Sequence, residues 1–410
     1  MTAADGGPLP EAAGPLGGVR VVEVGSLIAG PFAGRMLADF GAEVVKVENP
    51  ARPDPLRQWG APDEHDRTSW WAVQSRNKSC VTLDLGSHRG RELFLDLVGS
   101  ADVLLENLRP GSLEDLGLAP EVLLERNPRL VLARVSGFGQ TGPDSGRAGY
   151  ASVAEAVGGL RHLNGFPDLP PPRTGLSLGD SLGALFAVQG ILTALYWRDA
   201  RGGSGQVVDC SLVEACFAML ESVVPEYAAT GNVRGPSGTR LDGIAPSNIF
   251  RTADGTWMVV AANQDTVFTR LCTAMGRPEL VEDPRFSTHQ ARGRNQEEIE
   301  DVVAQWCASY DSGELSKLLD ECGVPCGPVN SVADIFADPL FRQRGMLLSV
   351  PDDQGGEVVM PGIVPKLTRS PGHVRWAGPS VPGRDNEAVF GTLLGLADHE
   401  LADLAREGVI

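Results

Sequence analysis

From residue 19 onward, short β-branched runs alternate with longer stretches in which apolar positions recur every three or four residues. Residues 19–24 read as a buried strand, 30–40 as a helix, 43–47 as a strand and 81–85 as another. Leu93, Phe94, Leu97 and Val98 then repeat at helical spacing, ahead of strands at 102–105 and 130–135. Strands alternating with helices predict a parallel sheet covered on both faces, so the first 210 residues form an open α/β domain.

The stretch 182–197 is apolar almost all round and predicts a helix buried on most sides, with a second helix over 212–220. Gly231, Gly235, Pro236, Gly238 and Gly243 then make a linker or mobile loop up to residue 245. Beyond it the pattern changes. Segments 248–252 and 256–262 flank Ala253-Asp254-Gly255, a hairpin signal, and helical segments follow over 293–319. A smaller α+β domain is expected there, ending in the Pro/Gly stretch 323–328. The residues after it are too loop-rich for a third domain, and no repeat of fixed period is present.

Composition narrows the partners. The chain has 410 residues, 42% hydrophobic and 21% charged, with 53 acidic against 35 basic side chains. That balance favours solubility and disfavours nucleic acid and anionic membranes as partners, while a few local donors suffice for a phosphorylated ligand. The seven cysteines are scattered in apolar segments and read as reduced thiols of a cytoplasmic protein. Cys322 and Cys326 lack the spacing of a zinc or redox pair, and the six histidines form no ligand set, so no metal is expected. Residues 1–15, rich in Ala, Gly and Pro, are expected to be a disordered tail, and no membrane span is expected because 182–195 is short and interrupted by Gly183, Gln189 and Gly190.

Three segments are candidates for chemistry. The first strand-to-helix turn, Gly25-Ser-Leu-Ile-Ala-Gly30, lies where open α/β sheets bind ligands, although its glycines are spaced wrongly for a dinucleotide site. Gly137-Phe-Gly139-Gln-Thr-Gly142 has dinucleotide spacing, but Pro143 follows where a helix must open, so a structured loop is the better reading. Asp180 precedes the apolar helix and reads either as an N-cap or as a nucleophile, since a helix N-terminus favours an ionised carboxylate. No Gly-x-Ser-x-Gly elbow and no activating histidine motif support a hydrolase.

Taken together, several segments resemble the family III CoA-transferases of the formyl-CoA transferase type, and their relatives the α-methylacyl-CoA racemases. They include 16–23, 29–48, 77–84, Glu106-Asn-Leu-Arg-Pro-Gly111, 136–143, Gly179-Asp180, 190–195 and Cys322-Gly-Val-Pro-Cys-Gly-Pro328, in the family's order. The resemblance implies a Rossmann-like large domain binding coenzyme A over 16–211, with a helix and linker over 212–245. It further implies a small α+β domain over 246–328 and a segment, 329–410, that returns to the large domain. An interlocked homodimer is implied as well, as is coenzyme A as co-substrate with no permanently bound cofactor.

By position, Asp180 matches the family's catalytic aspartate. Ile28, Ala29, Asn49, Leu83, Asp84, Asn107, Leu108, Arg109, Gly149 and Tyr150 match positions lining the CoA site. Ile28, Asn49, Gly86 and Asp115 stand where the formyl-CoA transferase type has Gln, Arg, Lys and Arg, leaving Arg57, Arg76 and Lys78 as surface residues or as substitutes in binding phosphate. Tyr150 stands where the racemases carry histidine, and a tyrosine, with an ordinary pKa near ~10, is a poor base at neutrality. The resemblance therefore implies transfer of coenzyme A between an acyl-CoA and an acceptor acid through an acyl-aspartyl anhydride. A racemase or lyase is the alternative, and a non-catalytic CoA-binding protein a distant one. The run of glycines that covers the aspartate in the formyl-CoA transferase type is missing, which points away from formyl and oxalyl substrates. Arg234 and Arg240 are candidates for holding a second substrate carboxylate.

Overall fold

A computed structural model describes residues 14–61 and 68–410. The expected tail lies, up to residue 13, outside the described residues. Two compact units emerge. The larger comprises the described chain up to Leu160, Thr174–Ser222 and Phe341–Ile410, and the smaller comprises Arg161–Arg173 and Val223–Leu340.

In the larger unit, β1 (Arg20–Val24), β2 (Glu43–Glu48), β3 (Lys78–Thr82), β4 (Val103–Glu106), β5 (Val131–Ser136) and β6 (Gln206–Ser211) form one six-stranded sheet in the order β3-β2-β1-β4-β5-β6. All its pairings are parallel. This is the doubly wound order, whose direction of winding reverses between β1 and β4 and leaves a crevice at the strand carboxyl ends. The mixed α/β class expected from the sequence is observed.

Alternation along the strands assigns the two faces. Val21, Val44, Val103, Leu105 and Val131 meet helix α1 (Ala29–Asp39) and a long helix over Leu178–Ala200, packing on Ala33, Leu37, Ala184, Ala187 and Ile191. Their neighbours Val22, Val45, Val81, Leu104 and Leu132 face the other way, onto Phe94 and Leu97 of α2 (His88–Gly99) and onto Val389, Phe390 and Leu404 of the C-terminal segment. Each buried Leu or Phe contributes about 1.5–3 kcal/mol, so both layers are needed.

β3 begins at Lys78, three residues before the strand expected at 81–85. Lys78 and Ser79 hid it, because a polar pair reads as the end of a strand unless its partners are known. Here the Lys78 ammonium has no solvent exposure and donates to Glu23 at 2.6 Å and to the Pro31 carbonyl at 2.8 Å. The free edge of β3 is covered by the C-terminal segment, where Asp385 and Asn386 accept from the backbone N–H groups of Cys80 and Thr82 at 2.7 and 2.9 Å. β6, at the opposite edge, was not read from the sequence.

The smaller unit carries the hairpin expected around Ala253-Asp254-Gly255: β7 (Ser247–Arg251) pairs antiparallel with β8 (Trp257–Ala261), and β8 with β9 (Cys326–Pro328). Gly255 takes φ of +83°, the left-handed conformation this turn requires. Helices Asp265–Ala274, Gln296–Cys307 and Ser312–Glu321 cover the sheet through Leu271, Val303, Leu315 and Leu319.

Beneath the carboxyl ends of β1 and β2 lies a dry cluster of charges. Lys46 is wholly buried, 3.2 Å from Glu23 and 3.1 Å from Asp54. Burial pulls its pKa down, but the carboxylates of Glu23, Asp54 and Glu48 reverse that and raise it. Replacing Lys46 by Ala strands these buried carboxylates and is expected to cost about 3–5 kcal/mol, read as a lower urea midpoint. An unchanged midpoint contradicts a charged cluster.

Candidate active site

A cavity of about 470 Å³ opens at the crevice between the strand carboxyl ends. Val24, Gly25 and Ser26 reach it from β1, Glu48, Asn49 and Arg52 from β2, Leu83–Gly86 from β3, and Leu108 and Ser112 from beyond β4. The turn after β1 is held by polar side chains that are buried or half-buried. Asn107 accepts from the Ser26 N–H at 3.1 Å and donates back to the Ser26 carbonyl at 2.9 Å, while Lys46 Nζ donates to the Gly25 carbonyl at 2.6 Å. Asp54 accepts from the Leu27 N–H at 3.1 Å and from Lys46. A Cβ at Gly25 would stand 1.9 Å from Asn107 Oδ1, so no larger residue fits this close approach. Leu27 takes φ of +67°, an unfavourable conformation that these contacts sustain.

The structure sorts the sequence-derived candidates. Asn49, Leu83, Asp84 and Leu108 line the cavity. Ile28 and Ala29 are buried at the start of α1, Ile28 against Leu56, Trp71 and Cys80. Asn107 serves the turn, and Arg109 donates to the Gly146 carbonyl at 3.1 Å. Gly149 packs closely on Gly137, and Tyr150 is exposed ahead of helix α3 (Ala151–Val157).

Arg57, Arg76 and Lys78 are not the solvated surface residues that one reading of the sequence expected. Arg57 forks onto Glu48 at 2.8 and 2.7 Å and stacks over Trp71, Arg76 forks onto Asp39 at 2.9 and 2.6 Å, and Lys78 is bound to Glu23. Their charges are spent inside the protein, and none of the three lines the cavity. Arg234 and Arg240, in the smaller unit, pair with Glu226 and Glu300.

Asp180 lies inside helix α4 (Leu178–Ala200), in its first turn, and Ser177 occupies the N-cap position without a side-chain cap bond. Asp180 is therefore not the N-cap residue of this helix. Its carboxylate is half-buried at the positive end of a 23-residue helix, where the backbone dipoles favour the ionised form. The N–H of the preceding Gly179 donates to Glu155 Oε1 at 3.1 Å, and a Cβ on Gly179 would stand 2.9 Å from the Ala151 carbonyl, so α3 and α4 meet only because this residue is glycine. Glu155 is 2% exposed. The sequence reading overlooked it, although a lone acid within Ala-Ser-Val-Ala-Glu-Ala-Val was the available signal.

Cys216, from helix α5 (Leu212–Phe217), completes this neighbourhood. Burial, and then the carboxylates of Glu155 and Asp180, push its thiol up to about 11, so it stays protonated at neutral pH and does not compete as a nucleophile. Asp180 does not line the 470 Å³ cavity. Among the described residues no group of His, Cys, Asp and Glu is arranged to hold a metal ion.

Residues 16–386 match the family model described as CoA-transferase family III. The chain is 50% identical over 396 residues to a succinyl-CoA–D-citramalate CoA-transferase of Chloroflexus aurantiacus, covering 97% of this chain and 98% of that one. It is 39% identical to the alpha subunit of a succinyl-CoA–L-malate CoA-transferase of the same organism, covering 97% and 92%. A solved CAIB/BAIF family protein from Brucella suis superposes with a TM-score of 0.80 at 34% identity, covering 93% of this chain and 100% of the other. The chain belongs to the family III CoA-transferases.

Proposed function

We propose that this protein passes coenzyme A from succinyl-CoA to a hydroxylated dicarboxylic acid of the citramalate or malate type, by covalent relay on Asp180. The position of Asp180, in the first turn of α4 and beside a thiol that stays neutral, carries the mechanism. The names of the relatives in Chloroflexus aurantiacus carry the substrate class.

An Asp180 carboxylate oxygen attacks the thioester carbonyl carbon, the C–S bond breaks, and an acyl-aspartyl anhydride and the CoA thiolate result. The thiolate attacks the aspartyl carbonyl and expels the donor acid, leaving an aspartyl thioester. The acceptor carboxylate then attacks that thioester and releases the thiolate. Finally the thiolate attacks the acceptor's carbonyl, and Asp180 departs as free carboxylate. Charge balances at each step without a proton, so the site needs placement and exclusion of water more than an acid or base. Glu155 supplies placement by fixing Gly179.

We further propose a dimer. Leu185, Leu192, Tyr196 and Trp197 stand exposed on the outward face of α4, where the sequence led us to expect burial. By length and composition alone α4 would cross a membrane, but its other face is packed on the sheet, and a second chain is the cover that matches the family resemblance.

Asp180→Asn keeps size and polarity but removes the nucleophile, and is expected to lower transfer by about a thousandfold or more. Hydroxylamine added during turnover should leave a hydroxamate on Asp180, seen by peptide mass. Near-normal transfer by Asp180→Asn, or a hydroxamate elsewhere, refutes the relay. Glu155→Ala is expected to lower kcat about tenfold or more with little change in KM, whereas Glu155→Gln, which retains the acceptor oxygen, should stay near wild type. Equal losses in the two variants would show that the Gly179 contact is not what matters.

A further inference from the structure

Among the described residues, the cavity is lined by three carboxylates and one cation. Glu48 is neutralised by Arg57 and Asp54 by Lys46, both from behind the cavity wall. Asp84 accepts from the Gly86 N–H at 3.0 Å and from Asn49 Nδ2 at 3.4 Å, and no cation among the described residues pairs with it. Among the described residues, Arg52 is the only basic residue in the lining. It is exposed, and among the described residues its guanidinium pairs with no carboxylate.

Asn49 accounts for the position of Arg52. Asn49 Oδ1 accepts from the N–H groups of Ala51 and Arg52 at 2.9 and 3.1 Å, and the Arg52 N–H also reaches the Asn49 carbonyl at 3.1 Å. The Asn49 side chain is thus spent on folding a tight turn directly after β2, and the turn presents the Arg52 backbone at the cavity rim. In doubly wound sheets the end of the second strand faces the ribose of a bound nucleotide: an acid there meets ribose hydroxyls, and an arginine nearby meets a ribose phosphate. Coenzyme A carries such a phosphate monoester on its ribose. In a protein of net charge −18 a phosphate needs a local cation, and a planar guanidinium suits its oxygens.

We propose that Arg52 binds the ribose phosphate of coenzyme A, and that Asp84 accepts a hydrogen bond from a hydroxyl or amino group of the same nucleotide. The assignment rests on the reading of this cavity as the CoA site. It gives the phosphate contact to a residue three positions after Asn49, while Arg57, Arg76 and Lys78 remain structural.

Calorimetric titration of the full-length protein with CoA and with dephospho-CoA, which lacks only this phosphate, tests the proposal. Wild type should bind CoA at least about tenfold more tightly at low salt, with the preference shrinking as salt is raised. Arg52→Ala should erase the preference by weakening CoA about tenfold while leaving dephospho-CoA unchanged, and Arg52→Lys should fall between. A wild-type preference that survives Arg52→Ala overturns the role of Arg52 and leaves the CoA site standing, as does a wild type that binds both ligands equally well. A wild type that binds neither ligand overturns the CoA reading itself. Because Arg52 is exposed on a turn held by backbone and Asn49 contacts, the substitutions should leave the unfolding midpoint unchanged.

Discussion

The ammonium group of Lys46 sits in a fully dry position between Glu23 of its neighbouring strand and Asp54, and donates a third contact to the Gly25 carbonyl. Removing such a charge from water costs several kcal/mol, and only nearby carboxylates offset it. One of these carboxylates also reaches the turn: Asp54 grips the Leu27 N–H, and with Asn107 it holds the turn that walls the cavity. Register of β1, β2 and β3, conformation of the turn and shape of the crevice are therefore coupled through one set of buried charges. A neutral core would pack these strands as well, but would leave the polar groups of the turn without partners on that side.

A second arrangement of charge surrounds Asp180, the proposed nucleophile. Asp180 and Glu155 are both acidic and both influence Cys216, yet they are used differently. Glu155 is spent on a backbone N–H and Asp180 is presented at the helix start, where the dipole favours its negative form. An anhydride relay requires a carboxylate that is ionised and fixed in place, without a neighbouring thiolate to divert the acyl group. Glycine at 179 is what allows α3 and α4 to approach closely enough for this.

One helix serves both the candidate site and an exposed apolar face. The helix that carries Asp180 in its first turn also exposes Leu192, Tyr196 and Trp197 towards its far end.

Much of the architecture was legible locally. Apolar runs revealed β1, β2, β4 and β5, the Asp254-Gly255 turn revealed the hairpin of the smaller unit, and the glycines around Asp180 together with the ordered motifs marked the family. These signals are short-range, since strand periodicity and turn chemistry are written within a few residues. What the tertiary structure alone decided were the long-range pairings. Lys78 became a strand residue only through Glu23, 55 residues away, and Arg57 and Arg76 lost their expected surface roles to Glu48 and Asp39. Glu155 acquired its role through Gly179, 24 residues along the chain. Strand order placed Asn49, Arg52 and Asp84 around one cavity, and a buried charge is invisible in sequence because its energy depends on a partner that only folding brings within hydrogen-bonding distance.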